Sequence, residues 1–171
     1  MGDLIYQSPA LVLEHVAMEA RPYPTHELEG CETGLLLFGA AFLGHNDGIH
    51  FAMEELRSTV VDVDGERLGK MRQLYPETWE FVEADAWEWA QAAAREDLWF
   101  DAVSVDTFTG DAELRALEVR NLELWTDLAR KVVTVTVTSA RIGSYVVPEG
   151  WRSVLHVRAP GVFWLVLTRL P

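Results

Sequence analysis

Cysteine is almost absent from this sequence, and its scarcity excludes two kinds of structural cross-link. The single cysteine, Cys31, has no partner for an intramolecular disulfide. A structural zinc site needs clustered cysteine or histidine ligands, and the nearest approach, formed by His45, Asp47 and His50, has no helical i, i+4 pair and no further ligand. We therefore predict no metal site and a reducing, cytoplasmic location.

Long apolar runs are also missing. No stretch approaches the roughly 18 apolar residues that a membrane-spanning helix requires. Residues 1–7 lack the basic region and the long apolar run of a signal peptide. The sequence therefore predicts neither membrane insertion nor export.

Basic residues are few. The chain has 14 Lys and Arg residues against 27 Asp and Glu residues, which gives a formal net charge of -13. Such a field repels polyphosphate chains and favours solubility. Nucleic acid is therefore a disfavoured partner, although a local basic patch is compatible with the composition.

The apolar fraction is substantial, at 49% with 11% aromatic residues over 171 positions. This is enough for one domain with a sizeable core. Residues 34–171 are predicted to form a Rossmann-like domain. Residues 1–33, which are interrupted by Pro22 and Pro24, are predicted to form an N-terminal cap or edge segment.

Alternating strand and helix patterns fill most of the chain. Apolar and β-branched runs predict strands at 35–38, 59–63, 79–82, 100–106 and 132–137. Helices are predicted between them at 49–56, 66–75, 87–95 and 113–130. This alternation predicts a parallel sheet. Two further β-rich runs, 153–157 and 162–167, are joined by only four residues, which is too short for a parallel crossover and predicts an antiparallel hairpin.

The predicted fold is therefore α/β, with a doubly wound, mostly parallel, Rossmann-like sheet that ends in an antiparallel β-hairpin. This order of elements is similar to that of class I S-adenosylmethionine-dependent methyltransferases. Dehydrogenase Rossmann folds differ because their final strand stays parallel.

A glycine turn follows the first predicted strand. The segment Gly39-Ala40-Ala41-Phe42-Leu43-Gly44 has the spacing of G-x-G-x-x-G, with alanine in place of the middle glycine. Such a turn brings the backbone and a helix N-terminus close to a nucleotide cofactor, so Gly39, Ala41 and Gly44 are candidate cofactor contacts. A tight turn with no ligand is the alternative.

A carboxylate lies near the end of the second predicted strand. Asp62 follows the glycine turn by about twenty residues, the position from which an acidic side chain accepts hydrogen bonds from the ribose hydroxyls of an adenosine cofactor. A carboxylate in an apolar strand is costly to bury without a partner. Asp62 is therefore a candidate ribose ligand.

Three short motifs carry a family resemblance. The segment Val61-Asp62-Val63-Asp64-Gly65-Glu66 resembles the V-E-I-D-P-E segment of spermidine synthases and related methyltransferases. Ala84-Asp85-Ala86 resembles their G-D-A/G segment. Val105-Asp106-Thr107-Phe108-Thr109-Gly110-Asp111 resembles their V-D-x-x-x-G/P-D segment. The resemblance covers residues 35–111.

The resemblance implies a role for each matching residue. Asp62 would hold the ribose, and Asp85, with Ala86 beside it, would receive the adenine amino group. The glycine turn would face the methionine portion of S-adenosylmethionine. Asp106 would lie beside the reacting centre and orient the attacking group. Helix capping is the alternative role for Asp85 and Asp106.

The sequence departs from this family in ways that affect the predicted activity. No acidic residue precedes the glycine turn, and 33 residues cannot hold the N-terminal β-domain of polyamine synthases. We predict an S-adenosylmethionine-dependent methyltransferase that acts on a small molecule. The alternatives are a non-catalytic binding or interaction protein and an aminopropyltransferase. A homodimer is compatible with Trp151, which is predicted to form a pocket wall or a dimer contact.

Overall fold

A computed structural model describes residues 23–38, 49, 52–75, 77–106, 118–138 and 145–171. The strands are β1 Thr33–Leu37, β2 Arg57–Asp62, β3 Glu80–Glu83, β4 Phe100–Val105, β5 Ala129–Thr138, β6 Trp151–Ala159 and β7 Val162–Arg169. The helices are a 3-10 helix, Thr25–Leu28, followed by α1 Gly65–Leu74, α2 Ala86–Arg95 and α3 Leu122–Asp127. None of these helices is long and apolar enough to cross a membrane.

The strands form a seven-stranded sheet in the order β3-β2-β1-β4-β5-β7-β6. Strands β1 to β5 pair in parallel, and β7 lies antiparallel between β5 and β6. This confirms the predicted parallel sheet and its closing hairpin. Every residue of β4 is buried, as expected for a central strand that is covered on both faces.

Two apolar clusters form the core, one on each face of the sheet. The first joins α2 and α3 to Leu35 and Leu37 of β1. The second joins α1 to Leu36 of the same strand. Successive residues of β1 therefore point to opposite faces and meet helices on both sides, which is the arrangement of a doubly wound sheet.

The fourth predicted helix, 113–130, extends too far at its C-terminal end. Ala129 and Arg130 belong to β5, and Ala129 pairs with Phe100 in the parallel ladder. The Phe100 N–H also donates to the Leu128 carbonyl at 2.9 Å. Pairing with β4 therefore ends the helix earlier than its apolar periodicity indicates. The start of this helix lies outside the described residues.

The closing strands are longer than predicted. β6 and β7 each extend by two residues or more beyond 153–157 and 162–167. Arg158 belongs to the predicted four-residue connection, but it lies inside β6. The first predicted helix, 49–56, is described only in part, and there the Met53 N–H donates to the Ile49 carbonyl at 3.0 Å, an i to i+4 bond.

The described part of the N-terminal segment packs against the sheet. The Tyr23 hydroxyl lies 2.7 Å from the Thr134 hydroxyl, and the Tyr23 ring meets Trp164 edge-on at 5.2 Å. Leu28 of the 3-10 helix is buried in the same cluster. Residues 23–28 therefore cover part of β5 and β7, while the separation of residues 1–33 from the domain stays a prediction.

Asp101 joins the beginnings of β1 and β4. Its carboxylate accepts hydrogen bonds from the backbone N–H groups of Glu32 and Thr33 at 2.8 and 3.3 Å. In return the Asp101 N–H donates to the Thr33 hydroxyl at 2.9 Å. Burial by itself raises the pKa of the Asp101 carboxyl, but these donors and the Lys131 ammonium outweigh it and hold the pKa below its ordinary value.

The lowered pKa gives Asp101 a predictable effect on acid unfolding. A carboxyl whose pKa is lower in the folded state than in the unfolded state stabilises the protein at pH values above its unfolded-state pKa. This stabilisation is lost as the pH falls below that ordinary pKa of 3.8. Asp101→Asn should lower the free energy of unfolding at neutral pH by about 1 kcal/mol. It should also flatten the acid limb of the stability profile, measured by urea unfolding across pH. An unchanged acid limb would contradict the assignment.

Candidate functional site

The strand order places one crevice at the carboxyl edge of the sheet. The chain runs outward from β1 to β2 and β3 on one side, and to β4 and β5 on the other, so the order reverses between β1 and β4. Ligands of open α/β sheets bind at such a reversal, outside the carboxyl ends of the strands. Asp62 ends β2 and Asp106 follows β4, so two of the predicted site residues lie at this edge.

Backbone hydrogen bonds fix the residues that follow the strands. The Phe38 N–H donates to the Val61 carbonyl at 2.9 Å, and the Asp106 N–H lies 3.4 Å from the Leu37 carbonyl. The Ala84 N–H donates to the Asp62 carbonyl at 3.0 Å. The ends of β1, β2, β3 and β4 are therefore tied to one another where the candidate residues leave the sheet.

Asp62 is held at the rim of the crevice. The residue is only 8% exposed, and its Oδ1 accepts a hydrogen bond from the Asp64 N–H at 2.9 Å. The next side chain, Val63, is 74% exposed. A fixed carboxylate beside an open apolar surface can bind a ligand that combines hydroxyl groups with a flat, weakly polar ring.

Asp85 lies in a more open position. Its Oδ1 accepts a hydrogen bond from the Glu88 N–H at 2.9 Å, so it caps α2 as the alternative interpretation proposes. A capping carboxylate still has a second oxygen that can accept a hydrogen bond from a ligand. The Ala86 methyl group is buried in the core, so Ala86 can contact a ligand only through its backbone.

The described side-chain partners of Asp106 lie on strands β5 and β6. Its Oδ2 accepts hydrogen bonds from the Thr136 hydroxyl at 3.0 Å and from Arg158 Nη1 at 2.8 Å. Arg158 Nη1 also donates to the Thr136 hydroxyl at 3.1 Å. The three side chains form a buried triangle that fixes the orientation of the Asp106 carboxylate.

Arg158 and Thr136 are site residues that the sequence does not predict, and Arg158 is the more unexpected of the two. The register of β6 against β7 shifts between Val157 and Ala159, so Arg158 is the extra residue of a β-bulge. A bulge re-aims a side chain, and Arg158 is only 3% exposed with its guanidinium on Asp106. The sequence shows only an arginine before a Pro-Gly turn, and that signal marks the turn rather than the bulge.

The residue before the glycine turn has an unusual backbone. Phe38 has a φ of 60°, in the left-handed region that aromatic residues rarely adopt. Its ring packs 5.8 Å from Trp87, which in turn lies 4.9 Å from Trp125. Backbone strain of this kind is concentrated at ligand sites, and here it lies at the end of β1 beside the crevice.

The remaining predicted residues cannot be compared with the structure. Gly39, Ala41 and Gly44 lie outside the described residues, as do His45, Asp47 and His50. Within the described ranges, no group of three or more His, Cys, Asp or Glu side chains is placed to hold a metal ion.

Solved structures share this architecture. The proposed methyltransferase yhhF of Escherichia coli matches with a TM-score of 0.58 and 15% identity, over 95% of this chain and 84% of its own. The proposed methylase HI0767 of Haemophilus influenzae matches with a TM-score of 0.59 and 12% identity, over 95% of this chain and 99% of its own. A proposed SAM-dependent methyltransferase of Streptococcus mutans has a TM-score of 0.56 and 11% identity, over 96% of this chain and 49% of its own.

The chain has the class I methyltransferase fold. No protein-family model and no curated protein sequence matches it. At identities of 11 to 15%, the likeness to these methyltransferases concerns the fold and not the substrate. The fold alone therefore does not identify the substrate, which depends on the residues at the crevice.

Proposed function

We propose that this protein binds S-adenosylmethionine at the carboxyl edge of the sheet and transfers its methyl group to a small molecule. The observation that carries the proposal is the placement of Asp62 and Asp106 on either side of the β1–β4 reversal in a methyltransferase fold. The S-adenosylmethionine sulfonium supplies an electrophilic methyl group, and the protein holds the cofactor and the methyl acceptor in the orientation that the transfer requires.

The residues at β2 and β3 suit the adenosine half of this cofactor. Asp62 offers a carboxylate to the two ribose hydroxyls, and the exposed Val63 offers an apolar surface to the adenine ring. Asp85 stands at the next strand end, where its second carboxylate oxygen can accept a hydrogen bond from the adenine amino group. These contacts agree with the roles that the family resemblance implies.

Asp106 is proposed to orient the methyl acceptor. Arg158 and Thr136 hold its carboxylate in one direction, so it can accept a hydrogen bond from the nucleophile without losing alignment. Methyl transfer to an amine, hydroxyl or thiol is an in-line displacement that gains mostly from such positioning. The proposed role of Asp106 is therefore to place the acceptor by accepting a hydrogen bond from it.

The Asp106–Arg158 pair also bears on the two alternatives. A polycationic amine needs uncompensated carboxylates, and the Arg158 guanidinium at 2.8 Å opposes that use of Asp106. We therefore do not extend the proposal to aminopropyl transfer. The same pair favours a non-catalytic binding protein as the second candidate, because the arginine satisfies the carboxylate with no substrate present.

Calorimetric titration tests the proposal at its first step. S-Adenosylmethionine and S-adenosylhomocysteine should each bind with micromolar affinity, because a pocket built for the adenosine and amino-acid groups contacts both. The absence of heat with either ligand at millimolar concentration would overturn the methyltransferase proposal. Binding of both ligands with no methyl acceptor in a screen of small amines, phenols and thiols would favour the non-catalytic candidate.

A further inference from the structure

A second groove lies at the opposite edge of the sheet. It has a volume of about 630 Å³ and is lined by the start of β5, the start of β6, the end of β7 and the 3-10 helix. An adjoining recess of about 350 Å³ shares Arg130 and Arg169 with it and adds Trp99. We call these two recesses together the amino-edge groove.

Basic side chains are concentrated in the amino-edge groove. Its basic lining residues are Arg130, Lys131, Arg152 and Arg169. All four are exposed, and they come together because β5 and β6 begin where the antiparallel β7 ends. In a chain of net charge -13, such a cluster makes this part of the surface less negative than the average.

The described carboxylates in and beside the groove are not paired with its arginines. Glu27 is engaged by His156 at 3.0 Å, and Lys131 is engaged by Asp101 at 3.4 Å. Glu29 and Asp127 are the other carboxylates of the lining. Within the described part of the chain, none of the three arginines forms an ion pair with a carboxylate.

Aromatic rings hold two of these arginines in place. The Arg130 guanidinium lies 3.8 Å above the ring of Trp99, which is 47% exposed, and the Arg169 guanidinium lies 5.5 Å from the ring of Trp151. Such contacts leave the edges of the guanidinium free to donate hydrogen bonds. Arg130 and Arg169 are therefore held by these contacts while their N–H groups remain available to a ligand.

We propose that the amino-edge groove binds a nucleotide ligand through its phosphate groups. The guanidinium fork matches two phosphate oxygens at once, and three such groups can bind more than one phosphate. The volume suits a ligand of nucleotide size, and Trp99, which is partly exposed beside Arg130, offers an aromatic surface to a base. A free nucleoside polyphosphate and a single strand share this chemistry.

This site is separate from the crevice that contains Asp62 and Asp106. Strand β4 has six residues, which span about 20 Å, and the groove and the crevice lie at its opposite ends. The proposal therefore does not rest on S-adenosylmethionine binding, and the two sites can be tested independently.

Fluorescence anisotropy of a labelled uridine decanucleotide, competed with ATP at low salt, tests the groove. The double variant Arg152→Gln with Arg169→Gln should weaken binding by at least about tenfold, because charge-assisted contacts are lost. If the decanucleotide binds through its phosphates, the slope of log K against log salt should fall by about 1.4, since each single-strand phosphate contact contributes about 0.7.

The matched control is Arg72→Gln with Arg95→Gln. It makes the same charge change at exposed positions that do not line the groove, and the Arg72 guanidinium also lies 5.5 Å from the centroid of an aromatic ring, that of Phe81. Control binding should stay within about twofold of the parent protein, since only the long-range field changes. S-Adenosylmethionine affinity should be equal in all three proteins.

The two probes separate the sources of the phosphate. If ATP competes as strongly as the unlabelled decanucleotide, the ligand of the groove is a free nucleotide. If the decanucleotide binds much more tightly than ATP, the ligand is a single strand. The proposal fails if neither probe binds, if both double variants weaken binding equally, or if a glutamate oligomer competes as well as the decanucleotide does.

Discussion

Replacing Arg158 with methionine is expected to lower the free energy of unfolding by about 3 to 5 kcal/mol. The side chains of Arg158 and Asp106 are 4% and 12% exposed, and their charged atoms are 2.8 Å apart. Methionine fills much of the space of the arginine stem but leaves a buried carboxylate without its guanidinium. The loss is therefore the cost of the stranded charge rather than of the removed contact.

A double-mutant cycle measured by urea unfolding isolates this effect. Asp106→Asn combined with Arg158→Met removes both charges and should recover most of the lost stability, because a buried pair replaced as a unit costs little. Arg169→Met is the matched control: it removes an exposed arginine over Trp151 and should cost less than about 1 kcal/mol. Equal losses for Arg158→Met and Arg169→Met would contradict a buried charge pair.

The strands were predictable because their cause is local. A short apolar run such as Leu35-Leu36-Leu37 can be covered on both faces only inside a sheet, and the four-residue link between the last two runs permits only an antiparallel pairing. Helix ends were less predictable. The pairing of Ala129 with Phe100 depends on a partner distant in sequence, so periodicity alone placed the end of that helix too late.

The positions of the two crevice carboxylates were predictable, but the arginine that contacts Asp106 was not. Asp62 is a polar residue that ends a strand, and the fold brings every such strand end to one edge. Arg158 reaches Asp106 from 52 residues away, through a bulge that interrupts the alternation of β6. Contacts of this kind depend on the register between β6 and β7, which cannot be predicted from a short sequence motif.

The amino-edge groove was unpredictable for the same reason. Arg130, Arg152 and Arg169 are far apart along the chain, and the net charge gives no sign of them. Their convergence follows from Thr168 pairing with both Val132 and Arg152. The net charge correctly describes the whole surface, but it does not exclude a local cluster of basic side chains.

Asp62→Ala is expected to weaken S-adenosylmethionine binding by about a hundredfold. Two hydrogen bonds from ribose hydroxyls to a carboxylate contribute about 1.5 kcal/mol each, and about 1.4 kcal/mol corresponds to a tenfold change in affinity. The folded state should lose only about 1 kcal/mol, because the carboxylate also accepts the Asp64 N–H at 2.9 Å. Calorimetry and urea unfolding measure the two effects separately.

Two further variants separate the effect of the Asp62 charge on binding from other effects of the substitution. Asp62→Asn keeps an acceptor for the Asp64 N–H but removes the charge, so its affinity should fall between those of the parent and Asp62→Ala. Asp127→Ala removes an exposed carboxylate near the C-terminal end of α3, at the opposite edge of the sheet, and should leave the affinity within about twofold. If Asp62→Ala also stays within that range, Asp62 acts only as a turn residue and the ribose must be held elsewhere.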